Sequence, residues 1–387
     1  MMSSSAHALA ADTVFDGAAL HRGHAVVISG SGILALRPTR ELPTDMPVQH
    51  LPGGAWLAPG FIDVQVNGGG DALFNDAPTP EAILTIAAAH RRFGTTALLP
   101  TLITDTAGKM QLAAAAAAEA MRRSPSVIGI HFEGPFLSPQ RAGVHDPMMF
   151  RLPSADEIAL LTASRPGVTL VTLAPECVPD GFTAMLTRAR VRVALGHSMA
   201  TCAETQAAIA EGLTGFTHLF NAMRPISARE PGPIAAALDD PGVFYGLIVD
   251  GHHVAPANLR LALHGRGHAM LVTDAMPPVG GCGGDFVLAG KPIAVRDGIC
   301  RTADGTLAGS VLDMATAVRN CVHLLGTTLP EALRLAAAAP AAFLGLEDQL
   351  GHLTPGHRAD IVALDPSNVR VLATWVAGVS EDAATAA

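Results

Sequence analysis

The sequence predicts an α/β fold: a (β/α)8 TIM-like barrel with a small flanking β-sandwich domain built from both termini. Three observations point there. From Phe61 onward, short apolar runs alternate with amphipathic stretches of helical period. Strand-like runs recur at both ends of the chain, outside that region. Polar residues suited to catalysis stand just after the apolar runs, where a barrel gathers its active site. Alternating β and α segments imply a parallel sheet, and eight such units fit a closed barrel better than an open sheet.

The first sixty residues carry short apolar runs broken by Gly and Pro: Ala25-Val26-Val27-Ile28, Ile33-Leu34-Ala35-Leu36 and Gly54-Ala55-Trp56-Leu57. These read as short strands. Barrel strands are expected at 61–66, 96–100, 127–132, 168–173, 191–195, 215–219, 244–249 and 270–273. Helices are expected between most of them, among them 80–93, 201–211 and 256–264. The alanine run 113–118 is too short to span a membrane and is soon followed by Arg122 and Arg123; it reads as a helix with a small-residue face. Residues 277–309 are Gly-rich and read as an insertion with a β-hairpin. Two helices are expected at 311–325 and 329–344, then strands at 359–364 and 369–376 that pair with the N-terminal strands. The expected division is residues 1–58 and 350–387 for the small β domain and 59–349 for the barrel, with no internal repeat or disordered linker.

Composition narrows the function. The 387 residues are 49% hydrophobic, ample for a large core. Lys and Arg number 25 against 34 Asp and Glu, a net charge of −9, and no basic run appears. That argues against a nucleic-acid partner. Small anionic substrates stay open, because local positive groups govern their binding. The cysteines are Cys177, Cys202, Cys282, Cys300 and Cys321, an odd number without CxxC, which reads as reduced thiols. Residues 1–11 are Ser/Ala-rich and lack a basic segment followed by a long apolar run. No signal peptide and no membrane partner are expected, and the location expected is cytoplasmic.

Four residues stand at strand ends. Glu133 closes Ile128-Gly129-Ile130-His131-Phe132-Glu133, His197 closes Val193-Ala194-Leu195-Gly196-His197, His218 lies in Phe216-Thr217-His218-Leu219, and Asp274 closes Leu271-Val272-Thr273-Asp274. In a barrel they converge on the C-terminal rim. Glu133, His197 and His218 are a suitable set for a catalytic zinc with one position left for water. Such a cation makes hydroxide available near neutral pH. Asp274 can then accept and return the proton. Any one of these residues alone would read as an ordinary hydrogen-bonded polar group. His131 faces the same side as Glu133, either as a support to the site or as a packed core histidine. His7, His21, His24, His50 and His352 carry no assigned role and are expected at solvated positions.

Further motifs span nearly the whole chain: Asp63-Val64-Gln65-Val66-Asn67-Gly68, His131-Phe132-Glu133-Gly134-Pro135-Phe136, Gly196-His197-Ser198, Thr217-His218-Leu219-Phe220-Asn221-Ala222-Met223, Arg229-Glu230-Pro231-Gly232, Asp250-Gly251-His252-His253-Val254 and Val272-Thr273-Asp274-Ala275. In order and spacing they resemble the N-acetylglucosamine-6-phosphate deacetylase family of the amidohydrolase superfamily. Where most amidohydrolases carry His-x-His for a second metal, this chain has Gln65-Val66-Asn67. A neutral amide is a weak zinc ligand. Gln65 and Asn67 therefore read as a vestigial second-metal position, and one divalent metal per chain is expected, zinc first, with Fe2+, Co2+ or Mn2+ as alternatives. No lysine ends the fourth strand, which runs into Ala174-Pro175-Glu176.

The resemblance implies hydrolysis of the acetamide of N-acetyl-D-glucosamine 6-phosphate. Asp274 is the implied general base and acid, and His145 helps stabilise the oxyanion. Arg229 and His253 hold the phosphate, a guanidinium being suited to it by its planar fork of donors. Arg229 is expected to reach a neighbouring subunit's site in a homodimer, though an ion pair with Glu230 would also account for it. Val144, Asn221 and Ala222 are implied sugar contacts, and Leu307, Ala308 and Gly309 a segment closing over the substrate. The competing readings are the galactosamine epimer, another N-acyl amidohydrolase and a non-catalytic binding barrel.

Overall fold

The computed structural model describes residues 6–382; the expectations for residues 1–5 and 383–387, at the outer ends of the small β domain, lie outside them. Eight parallel strands follow one another in chain order: Phe61–Val66, Thr95–Ile103, Gly129–Glu133, Val168–Leu173, Arg192–Leu195, Gly215–Phe216, Phe244–Leu247 and His268–Leu271. A bridge between Val66 and Ala275 brings the end of the eighth back to the first, so the barrel is nearly closed. The first two strands are buried along their whole length, as expected of parallel strands covered on both faces.

All eight expected barrel strands are present, and the largest shortfall has a physical cause. The sixth was expected to reach residue 219 but ends at Phe216. His218 takes φ 35°, in the left-handed region, which a strand cannot continue through. His197 (φ 48°) and Asp274 (φ 51°) do the same after the fifth and eighth strands. The chain thus turns abruptly where its chemistry-bearing side chains stand.

The helices Pro80–Arg91, Cys202–Ala210 and Pro256–Leu263 match expectation within two residues at each end. The alanine-rich helix Ala107–Arg123 buries Met110, Ala113, Ala114, Ala116, Ala117 and Ala120, and the Thr106 hydroxyl caps it by accepting from the Lys109 N–H. Among the described residues no helix is long and apolar enough to cross a membrane. The expected helix over 329–344 is two, Leu329–Ala336 and Ala338–Leu344, broken at Ala337. Pro340 explains the break: it has no N–H to offer Ala336, and its ring crowds that carbonyl. The segment 311–325 is a helix at Met314–Asn320 followed by a π turn at Cys321–Leu325, closed by Gly326 at φ 78°. The insertion holds four antiparallel strands rather than one hairpin: Phe286–Leu288, Lys291–Arg296, Ile299–Arg301 and Leu307–Ser310.

The terminal strands join as expected. One continuous mixed sheet runs through Val379–Asp382, Arg370–Val376, Ile361–Asp365, Trp56–Pro59, His7–Phe15, Leu20–Ser29 and Gly32–Pro38, with Val48–His50 beside His7–Phe15. Leu9, Val26, Ile28, Leu57, Ile361 and Trp375 are part of its core. The chain forms two compact units, one of Met1–Asp63, His90–Ala97 and Asp313–Ala387, the other of Val64–Ala89 and Leu98–Leu312. The helices Met314–Asn320, Leu329–Ala336 and Ala338–Leu344 fall in the first of these units. Of the five histidines expected at solvated positions, only His50 is exposed; His7, His21, His24 and His352 are half-buried, and His21 lies 2.6 Å from Asp16.

Gly129 opens the third barrel strand opposite Val168, and a Cβ there would sit 2.0 Å from the Val168 carbonyl oxygen. Gly129→Ala is expected to destabilise the protein by about 1–3 kcal/mol, as overpacking does; denaturant unfolding beside the parent chain measures it.

Candidate active site

Glu133 closes the third strand, and its Oε1 lies 3.2 Å from His197 Nε2 and 3.0 Å from His218 Nε2. The two Nε2 atoms are 3.1 Å apart. All three residues are buried, and among the described residues they form the one such group able to hold a metal ion. The donor set fits a cation. Ligand atoms around a tetrahedral zinc, at about 2.0–2.1 Å from it, stand roughly 3.3 Å from one another. His197 Nδ1 lies 2.7 Å from the Arg141 carbonyl and donates to it, which leaves the Nε2 lone pair facing the other two donors. Two imidazole nitrogens and a carboxylate oxygen packed this closely are otherwise poorly matched.

The protein holds this triangle from behind. Glu176, after the fourth strand, accepts from the Ser198 hydroxyl at 2.7 Å and the Met199 N–H at 2.5 Å, which braces the turn carrying His197. Burial works against the charge on Glu133, yet the adjoining His197 and His218 imidazoles hold its carboxyl well below the usual range. Burial likewise opposes charge on His218, and Glu133 outweighs it, raising that imidazole.

Asp274 stands beside the triangle. Its Oδ1 accepts from Asn67 Nδ2 at 2.6 Å and from Gln65 Nε2 at 3.2 Å. Burial first, and the Glu133 charge second, push its carboxyl up to about 6. His145 lies on the loop after the third strand, with Nδ1 2.7 Å from the Thr104 hydroxyl and its ring centroid 4.4 Å from that of His197. Burial, then His197, lowers its pKa, so the ring is neutral at physiological pH. His131 is a packed core histidine: Nε2 meets the Thr172 hydroxyl at 2.7 Å and Nδ1 lies 3.0 Å from the Val64 carbonyl. Burial lowers it to about 4.

The Glu133–His197–His218 triangle, Asp274 and His145 line one pocket of about 350 Å³. Val144, Asn221, Ala222, His253, Leu307 and Gly309 reach it as well. Ala308 is buried beside it in an apolar cluster with Val144 and Met276. The segment 307–310 is fastened to the end of the eighth strand: the Ser310 N–H donates to the Asp274 carbonyl at 2.9 Å, and its hydroxyl to the Thr273 carbonyl at 2.6 Å. His253 Nδ1 lies 2.6 Å from Asp250 Oδ2, and Asp250 Oδ1 accepts from the backbone of His252 and His253.

Arg229 is not brought into the pocket: it is exposed and makes no hydrogen bond or ion pair with the described residues. Its neighbour Glu230 is engaged elsewhere, accepting from the Cys202 and Gly232 N–H groups. Sequence reasoning missed four contributors. Arg141 lines the pocket, and its carbonyl orients His197. Gln140 also lines it, and Thr104 holds His145. Glu176 was seen only as a residue that is not lysine, although a carboxylate directly after a strand was the available signal.

This fold and pocket define the class. The chain belongs to the amidohydrolase family, whose sequence profile matches residues 56–383. An N-acetylgalactosamine-6-phosphate deacetylase of Shewanella sp. (strain ANA-3) is 43% identical over 360 residues, 92% of this chain and 90% of its own. An N-acetylglucosamine-6-phosphate deacetylase of Haemophilus influenzae is 34% identical over 92% of this chain and 94% of its own. The crystal structure of N-acetylglucosamine-6-phosphate deacetylase from Pasteurella multocida matches with a TM-score of 0.94 at 33% identity, over 97% of this chain and 100% of that one. Within the amidohydrolases, this chain is a member of the N-acetylglucosamine-6-phosphate deacetylase family, hydrolases that depend on a divalent metal.

Glu133→Gln is expected to reduce bound metal from about one per chain, as an open three-ligand site holds, to a small fraction of that, because the variant loses the one anionic ligand. Elemental analysis of the purified variant, with circular dichroism to verify folding, measures this; undiminished metal would remove Glu133 from the ligand set.

Proposed function

We propose that this chain hydrolyses the acetamide of N-acetyl-D-glucosamine 6-phosphate, giving D-glucosamine 6-phosphate and acetate in amino-sugar breakdown. The observation that carries the reading is the convergence of Glu133, His197 and His218 with Asp274 on one pocket. Glu133, His197 and His218 hold one divalent cation per chain, zinc by donor type, although Fe2+, Co2+ and Mn2+ accept the same ligands. When bound, the cation supplies Lewis acidity and a water of lowered pKa.

The chain's own residues do the rest. Asp274 takes the proton from the attacking water and delivers it to the departing amine. His145 Nδ1 lies against the Thr104 hydroxyl; with that hydroxyl as donor the proton sits on Nε2, from which neutral His145 donates to the developing oxyanion. His253, with Nδ1 tied to Asp250, turns Nε2 to the 6-phosphate. Val144, Asn221, Ala222, Leu307, Ala308 and Gly309 surround the sugar. Arg229, exposed on its own chain, completes the phosphate site of a neighbouring subunit in a homodimer. Residues 59–349 form the catalytic barrel domain, and 1–58 with 350–387 the small β domain. The five cysteines are all free, in keeping with a cytoplasmic enzyme.

A second reading is the C4 epimer, N-acetyl-D-galactosamine 6-phosphate, favoured by the 43% identity to a relative named for that sugar. Acetate release from both epimers and from unphosphorylated N-acetylglucosamine decides between them. Turnover of the gluco epimer alone supports the first reading, preference for the galacto epimer installs the second, and no turnover of either by metal-loaded protein removes both.

Two outcomes follow from Asp274. Asp274→Asn is expected to keep its metal and lose on the order of 10²–10⁴ in kcat, the scale of a general acid–base residue. In the parent, the basic form of Asp274 is lost as pH falls through about 6. The rate is therefore expected to drop about tenfold per pH unit below that point. Asp274→Asn is expected to lose this acid limb; an unchanged limb in the variant would exclude Asp274 as the base. For Arg229→Ala, KM is expected to rise far more for the phosphorylated sugar than for the unphosphorylated one; equal effects would end its phosphate role.

A further inference from the structure

The first barrel strand delivers two amides to the site, and neither is idle. Gln65 Nε2 lies 3.2 Å from Glu133 Oε2 and 3.2 Å from Asp274 Oδ1, so one amide group bridges the two carboxylates. Asn67 Nδ2 lies 2.6 Å from the same Asp274 Oδ1. Both amides are buried. Their orientation is dictated by their neighbours, since a flipped amide would set its oxygen against a carboxylate.

We propose that Gln65 and Asn67 form a donor clamp that positions the site's two carboxylates, rather than a disused remnant of a second metal site. The clamp gives each carboxylate oxygen a separate task. Glu133 Oε1 faces His197 and His218, while Oε2 is held by Gln65. Asp274 Oδ1 is held by both amides, and Oδ2 accepts no hydrogen bond from the described residues. Oδ2 is thereby the oxygen presented for proton transfer. The bonding of Asn67 is lopsided: its Oδ1 is buried without a partner. A buried acceptor left unsatisfied costs free energy, so the bond to Asp274 is what fixes this side chain's orientation. The clamp also excludes a second cation, because N–H donors occupy the lone pairs that would otherwise ligate one.

The two amides differ in reach, which makes the clamp testable. Gln65 touches a metal ligand and the base, whereas Asn67 touches the base alone. The variants are Gln65→Met and Asn67→Leu, which keep approximate volume and remove the donors. Each is loaded with Zn2+, and the loss of metal to a chelator is timed. Gln65→Met is expected to lose metal about 10–100-fold faster, the scale for removing a hydrogen-bond partner of a ligand. Asn67→Leu is expected to release metal at the parent rate. In the acetate assay, which rests on the proposed deacetylase reading, both are expected to lose at least about tenfold in kcat with KM changed less than about threefold, as misplacing a general base does.

Equal chelator release from both variants overturns the clamp, and so does parent-like kcat in Asn67→Leu. The chelator arm needs no substrate, so failure of the parent to deacetylate either sugar counts against the substrate assignment alone. A drop in kcat that only follows the folded fraction, measured by thermal melting of the same samples, also overturns the clamp.

Discussion

The site is organised around one buried carboxylate that cannot be left alone. Glu133 sits inside the barrel, where an isolated charge would be prohibitively costly. Its charge survives because two imidazoles converge on one oxygen and an amide N–H meets the other. Each partner needs its own support. His197 is oriented by the Arg141 carbonyl, its turn is braced by Glu176, and Gln65 ties Glu133 to Asp274. The same charge acts on Asp274, adding to burial in lifting that carboxyl to about 6. One group, held as an anion, thus disfavours a second negative charge on its neighbour.

The backbone delivers these groups by ending strands sharply. His197, His218 and Asp274 all take positive φ, which non-glycine residues adopt at a cost. A strand that continued past them would alternate side chains between core and exterior. Turning left-handed at the reactive residue keeps that side chain aimed along the barrel mouth. The eighth strand gains further order from the insertion, because Ser310 bonds to the carbonyls of both Asp274 and Thr273. The wall formed by 307–310 therefore moves only if the segment bearing Asp274 moves with it.

Much of this was legible in sequence, for a definite reason. Parallel barrel strands are buried on both faces and so read as plain apolar runs, and the polar residue ending each run marks the rim. Glu133, His197, His218 and Asp274 stood out on that rule alone. The rest was hidden by the kind of contact involved. Arg141 acts on His197 through a backbone carbonyl, which no side-chain pattern reports. Gln65 and Asn67 were noticed for what they cannot ligate, whereas their hydrogen bonds depend on residues 68 and more positions away. The split at Ala337 was announced by Pro340 but outweighed by the surrounding alanines. The third and fourth insertion strands, Ile299–Arg301 and Leu307–Ser310, are too short to show a period.

The electrostatics of the pocket bear on how an acidic chain could hold a phosphorylated sugar. Among the described lining residues, two carboxylates, Glu133 and Asp274, face a single guanidinium, that of Arg141. A divalent cation would balance those carboxylates and leave little positive charge over for a phosphate. His253 is committed through Nδ1 to Asp250, so it offers one ring nitrogen and not a fork of donors. Arg229 meanwhile stands exposed, its adjacent Glu230 engaged with backbone N–H groups. An uncommitted guanidinium on the surface, and a pocket short of positive charge, are complementary deficits. The homodimer proposed above would resolve both at once, since a symmetric pair exchanges the same residue in each direction. The net charge of −9 is no obstacle to an anionic substrate, because recognition depends on where positive groups are placed and not on the sum over the chain.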